Sequence, residues 1–450
     1  MSDALPLPPR PNVDQYKKLA KDFQAACSSS EPGAVRAWAA RWVEKLVRLR
    51  GLEITPQLRK EIATEAGRIE QRWHKVKKSK RVPRCTLTNA QFFIAREHGF
   101  ASWAKFAKHI ELLTRANSPV SHFEKAVEAI VVGDLETLRN LLRDDPGLVQ
   151  ARSTREHRST LLHYVSANGV EDFRQKTPKN IVEITEMLLD AGADVNAESD
   201  AYGGGSTTLG LVATSIHPEQ AGVQISLLQK LLERGARIDH QTAAGNNQSI
   251  ITGCLANGQP KAAEFLASAG APVHLEGAAG LGRLLDLKRY FEESGTPKPH
   301  VKRKQLESAF EFACWYGRGD VVEFLLGAGI DPNWCDADGQ TGLHHAAYGG
   351  HVDVVKLLLQ RGSSVKVKDK NYRATPLDVA LWVWDNSSDE NKRERCYQVV
   401  ALLVRAGAKL DPQQWFNPEQ NRPGMLEKLR TDTRMLAALG GETIPTAKEL

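Results

Sequence analysis

One stretch, GQTGLHHAAYGGHVDVVKLLLQRGSSV from Gly339 to Val365, recurs along the chain, and its period limits the folds available. Moved 33 residues toward the N-terminus, it falls on SAFEFACWYGRGDVVEFLLGAGIDPNWCDADG, with Gly317 under Gly350, Asp320 under Asp353 and Gly329 under Gly362. Weaker copies are STLLHYVSANG followed by VEITEMLLDAGADVNAES, TTLGLVATS followed by SLLQKLLERGARID, SIITGCLANGQPKAAEFLASAGAPV, and TPLDVALW from Thr375 to Trp382. Each copy opens on Thr or Ser and continues through a helix of small residues, a glycine turn and an amphipathic helix with a leucine pair. A Gly-Ala step and a polar finger follow. A unit of that size has one apolar stripe that only a neighbour can cover, so the copies must stack. Hydroxyls at Thr160, Ser249, Ser308, Thr341 and Thr375 are expected to open helices by accepting backbone N–H groups. Gly192, Gly235, Gly270, Gly329, Gly362 and Gly407 are expected to close second helices as left-handed caps.

The period and the T-x-L-H openings at Thr160–His163 and Thr341–His344 resemble the ankyrin repeat, a β-turn followed by two helices. DADGQTGLHHAAYGGHVDVVKLLLQRG and LLDAGADVNAES carry the resemblance most closely, and it extends over residues 122–411 in about eight units. It implies an all-α solenoid with β-turn fingers. FEKAVEAIVVGDLETLRNLLRDDPGLVQARS reads as the first unit, and EGAAGLGRLLDLKRYFEESG as a degenerate one with no T-x-L-H. Polar insertions at Val170–Asn180, His217–Gln224 and Asp385–Arg395 fall between the two helices of their units. The expected layout is a flexible leader at 1–12, a basic helical domain at 13–116, the solenoid at 117–411, and a cap with tail at 412–450. MLEKLRTDTRMLAALGG is expected to form a cap helix, because a terminal unit needs a polar outer face.

Charge separates the head from the body. Residues 1–116 hold 23 Lys+Arg against 11 Asp+Glu, and the remainder holds 37 against 43. Within the head, Arg72–Arg84 (RWHKVKKSKRVPR) gathers Arg72, Lys75, Lys77, Lys78, Lys80, Arg81 and Arg84. Such a run suits an anionic partner, nucleic acid included, and equally suits a solvated helix end. Downstream, TLTNAQFFIAREHGFASWAKFAKHIELL suggests two short helices about Gly99, with Thr88 and Gln91 as a capping box and Ser102 as an N-cap. Phe92, Ile94, Phe100, Trp103 and Phe106 are expected to face a core. The second helix is short and mostly apolar, a poor reader of base edges. This string is similar to the helical leader that precedes ankyrin repeats in a group of bacterial cytosolic proteins, a group to which no agreed activity attaches.

Several classes of function find no support. No run approaches 18 consecutive apolar residues, so no membrane span is expected. The proline-rich start MSDALPLPPRPN lacks the apolar core of a signal peptide and reads as a mobile leader of a cytoplasmic protein. Six cysteines lie at least 21 residues apart with no C-x-x-C, which favours free packing thiols over zinc or disulfides. Phosphate-loop, dinucleotide, zinc-protease and nucleophile-elbow motifs are missing from the sequence. AYGGGSTT falls where a finger belongs. His163 and His344 are expected to strut adjacent units, and His351 starts a helix. The spacing of His344, His345 and His351 is no ligand pattern, so neither metal nor cofactor is expected.

A sharper signal comes from stacking the units. The first residue after the small pair of each first helix reads Ala167, Thr214, Ala256, Gly280, Trp315, Tyr348 and Trp382. In the ankyrin pattern this position faces the concave groove. The last three are large aromatics; Tyr316 adjoins Trp315, and Trp384 lies two residues beyond Trp382. Trp and Tyr anchor interfaces because they join large apolar area to few rotors. The expectation is a monomeric, non-enzymatic scaffold that binds a protein or peptide on this row. Trp334, Asp336, Asp338, Gln340, Asn371, Tyr372 and Arg373 would rim it, with His345 beside it. One alternative is a nucleic-acid-associated adaptor using the basic segment, and another is an enzyme or ligand site built on His345, Asp336 and Asp338.

Overall fold

A computed structural model of the chain describes residues 4–8, 10–49, 53–79, 84–115, 117–238, 249–411 and 423–440. Lys80, Arg81 and most of the segment before the expected cap helix lie outside these residues. The chain divides into two compact units, Met1–Phe265 and Leu266–Leu450.

In the first unit, five helices precede the repeats among the described residues: α1 Val13–Ser28, α2 Ala34–Leu49, α3 Pro56–Ser79, α4 Leu87–Glu97 and α5 Trp103–Leu113. Their apolar faces enclose one core containing Phe23, Trp38, Trp73, Phe93 and Phe106. Phe93, not Phe92, is the fully buried member of its pair. Ser102 caps α5 as expected. The cap of α4 is Thr86 with Asn89 instead of Thr88 with Gln91. Thr86 has the extended backbone that an N-cap needs, whereas Thr88 already sits in the first turn.

Two further expectations are corrected here. The leader is held at residues 4–5: Ala4 and Leu5 are buried, and the Leu5 N–H donates to the Glu97 carbonyl at 2.7 Å. The six cysteines are not all free, because Cys27 and Cys85 form a disulfide across 58 residues. Packing of α1 on α4 brings their Cα atoms to 6.0 Å, a proximity that no local spacing encodes. Cys254, Cys314 and Cys396 are free and buried, and Cys335 is free and exposed.

The repeats of the first unit follow as α6 Pro119–Val132 with α7 Leu135–Asp144, then a 3-10 helix Leu161–Ser166 with α8 Ile181–Asp190. The strands β1 Glu198–Ser199 and β2 Ser206–Thr207 pair antiparallel around the glycine-rich finger. Next come α9 Thr208–Ala213, α10 Ile216–Gln220 and α11 Gln224–Glu233, then α12 Ile250–Ala256 and α13 Pro260–Ser268, within which the division at Phe265 falls. Where α6 meets the Val170–Asn180 insertion, Glu124, Arg155, Glu171 and Arg174 are all buried. Arg155 lies 2.6 Å from Glu124 and 2.8 Å from Glu171, and Arg174 lies 2.6 Å from Glu124. Arg155 also covers the Phe100 ring, and the Glu156 N–H donates to the Gly99 carbonyl. The network thus joins the N-terminal helices to the first repeats.

The second unit continues with α14 Leu275–Leu281, α15 Leu284–Lys288, α16 Arg303–Trp315, α17 Gly319–Gly327, α18 Gly342–Gly349, α19 Val352–Gln360, α20 Pro376–Asn386 and α21 Glu390–Arg405. First helices stack in sequence, α14 on α16, α16 on α18 and α18 on α20. Ala309, Ala313, Ala346 and Ala347 allow the close approach, and Leu343, Leu358 and Leu381 fill the core. Ser308 opens no helix: α16 starts five residues earlier, at Arg303. The Asp385–Arg395 insertion is mostly helical, prolonging α20 and α21 around Asp389 as N-cap. The cap is two helices, α22 Pro423–Thr431 and α23 Thr433–Ala438, because Asp432 ends one and caps the next. The six expected closing glycines all have positive φ. Among the described residues, eight helix pairs follow one another from α6 to α21.

Candidate partner-binding site

The three aligned aromatics touch. Trp315 ends α16, Tyr348 lies near the end of α18 and Trp382 lies in α20. Trp315 meets Tyr348 edge to face at 6.4 Å, and Tyr348 stacks on Trp382 at 6.2 Å. Tyr316 stacks beside Trp315 at 6.1 Å. Tyr348 remains 40% exposed, while Trp315, Tyr316 and Trp382 are half-buried. Lys392, from the insertion on α21, places its ammonium 4.4 Å from the centre of the Tyr348 ring. Trp384 is not part of the row. Two helical residues beyond Trp382, it points the other way, is buried, and donates to Tyr397 Oη.

The row is held from behind. His351 Nε2 lies 2.8 Å from the Trp315 carbonyl, and burial lowers its pKa. A Cβ at Gly317 or Gly349 would come within 2.4 Å or 2.2 Å of that imidazole, so both positions require glycine. His344 acts as the expected strut. Its Nδ1 accepts the Thr341 N–H at 3.0 Å, which leaves Nε2–H to donate to the Ala374 carbonyl of the next finger at 3.1 Å. His163 does the same between Thr160 and Ser206.

His345 faces the finger. It is 5% exposed, stacks on Trp315 at 5.5 Å, and sets Nε2 3.2 Å from Asp336 Oδ2. Asp336 Oδ1 accepts the N–H groups of Asp338 and Gln340, both at 2.9 Å. Burial opposes the Asp336 charge, but the His345 contact and the finger N–H groups outweigh it and hold its carboxyl below the usual range. Glu311, which the sequence does not single out, completes the group. Its carboxylate and the ligand atoms of Asp336 and His345 all lie within 4.8 Å of one another. Burial raises the Glu311 carboxyl, His345 pulls it down, and the charges of Asp336 and Asp338 push it up.

The remaining finger residues divide. Asp338, Asn371, Tyr372 and Arg373 are exposed, with Tyr372 at 68%. Gln340 is half-buried, and Trp334 packs on the core beneath the finger instead of standing on a rim. In the basic segment, Arg72 is not available to an anionic partner. It is paired with Glu97 at 2.7 Å and Glu65 at 2.8 Å. Lys75, Lys77, Lys78 and Arg84 are exposed. A polar cleft of about 550 Å³ lies among Trp384, Tyr397, Lys428 and Asp432, and none of the three row aromatics lines it. No described helix is long and apolar enough to cross a membrane.

Residues 310–414 match the family described as ankyrin repeats (3 copies). That C-terminal part of the chain carries ankyrin repeats. The chain is 26% identical over 221 residues to the E3 ubiquitin-protein ligase KEG of Arabidopsis thaliana, covering 47% of this chain and 12% of that protein. It is 30% identical over 236 residues to the ankyrin repeat and KH domain-containing protein mask-1 of Caenorhabditis elegans, covering 50% of this chain and 8% of that protein. Over 63 residues it is 41% identical to the ankyrin repeat-containing protein P1E11.10 of Schizosaccharomyces pombe, covering 14% of this chain and 30% of that protein. Each match spans less than a third of the relative's length. Trp315, Tyr348 and Trp382 all fall inside the matched ankyrin repeats.

Proposed function

We propose that this ankyrin-repeat protein is a non-enzymatic scaffold that captures a protein or peptide segment on its C-terminal repeats. The contact of Trp315, Tyr348 and Trp382 across three consecutive repeats carries the reading. Rings fixed by stacking and by His351 meet a partner with little rotamer entropy left to lose, which favours tight capture on a modest area. The exposed finger residues Asp338, Tyr372 and Arg373 supply polar contacts at the edge. Replacing Trp315 and Tyr348 together by alanine is expected to weaken capture by at least ~30-fold, the scale of losing one anchor. A pull-down from native cell extract, comparing the intact chain with the double variant at equal helical content, measures this. Equal recovery of the same partner by both would refute the reading.

A further inference from the structure

The repeat alignment places Glu311 under His344, at the strut position of its own unit. In the units of His163 and His344 an imidazole occupies that position, and its Nε2 meets a carbonyl of the next finger. An ionised carboxylate cannot donate there. Glu311 instead faces Asp336 and Asp338 of the finger and His345 of α18, and it has no hydrogen-bond or ion-pair partner among the described residues. Two carboxylates therefore converge on one imidazole, which already meets Asp336, with no lysine or arginine ion-paired to either carboxylate among the described residues.

We propose that Glu311, Asp336 and His345 form a binding site for one divalent transition-metal ion of the zinc class. Geometry supports it. Two donors about 2.0–2.2 Å from one tetrahedral ion stand roughly 3.3–3.6 Å apart. The present 3.2 Å between His345 Nε2 and Asp336 Oδ2 is within a few tenths of an ångström of that spacing, and Glu311 lies within 4.8 Å of both. The donors are also preorganised. Asp336 is oriented by two finger N–H groups on its other oxygen, and the His345 ring is fixed by Trp315. Such backing of ligands is what keeps a metal site in register. An imidazole with two carboxylates suits zinc, cobalt or nickel, whereas magnesium and calcium prefer all-oxygen shells. Three protein donors leave a coordination position for water. This site is separate from the capture reading and stands or falls without it.

The test uses the full chain, stripped with chelator and titrated with cobalt(II), whose visible absorption reports coordination. One cobalt per chain is expected, displaced by zinc(II). Glu311→Gln should weaken binding at least ~10-fold, the cost of disturbing a metal shell. Glu311 has no partner to lose, so folding should survive, and circular dichroism checks it. His345→Gln should weaken binding equally. Absence of cobalt or zinc binding at micromolar concentration would overturn the proposal. So would binding unchanged in Glu311→Gln, which would assign the metal to other histidines.

Discussion

Single residues in this protein are stabilised by being kept in one protonation state. Burial lowers His98 to about 3 and His109 and His163 to about 4, against an ordinary value of 6.5. Each is therefore neutral in the folded chain at a pH where the unfolded chain would protonate it. The stabilisation is complete above pH 6.5 and is lost as the pH falls toward 4, because the unfolded state then binds more protons. At about pH 5 each buried histidine should cost about 2 kcal/mol. Urea midpoints measured near pH 7 and pH 5 should fall accordingly, and His109→Gln should flatten the dependence. An unchanged slope in that variant would show that His109 is not the titrating group. The strut histidines were readable from the T-x-L-H pattern. Glu311 was not, because its neighbours Asp336 and His345 lie 25 and 34 residues away and become neighbours only when a finger folds back.

Whole elements depend on interactions that their own sequence does not announce. The 3-10 helix Leu161–Ser166, α6 and the insertion after Val170 meet around Glu124, Arg155, Glu171 and Arg174. Burial pushes the Glu124 carboxyl up, but the two guanidiniums outweigh it and hold it at about 2. Taking one partner from a buried ion network leaves an uncompensated charge, whereas an exposed pair is worth little. Glu124→Gln should thus cost about 3–5 kcal/mol in denaturant unfolding. A loss below about 1 kcal/mol would place the network with ordinary surface pairs. Helix starts show the same dependence. Thr341 and Thr375 were legible as caps because the repeat marks them. Ser308 misled because α16 runs five residues past it toward the N-terminus, starting at Arg303.

At the scale of the molecule, charge and repeats are distributed along the chain in a way that sequence records directly. The basic head should be retained on heparin, with retention falling as salt rises. Neutralising Lys75, Lys77, Lys78 and Arg84 to glutamine should move elution to lower salt. Unchanged elution would show that this surface holds no anionic partner and would remove the adaptor reading. The sequence alone determined the ankyrin architecture, the glycine caps, the histidine struts and the aromatic row, because a period of 33 residues repeats each local rule and so exposes it. Only the tertiary structure decided the pairing of Cys27 with Cys85, the capture of Arg72 by Glu97, the covering of Tyr348 by Lys392, and the meeting of Glu311 with Asp336 and His345. Each of these joins residues from different helices, fingers or connecting segments. Their contact follows from how the helices pack, and packing obeys no fixed spacing along the chain.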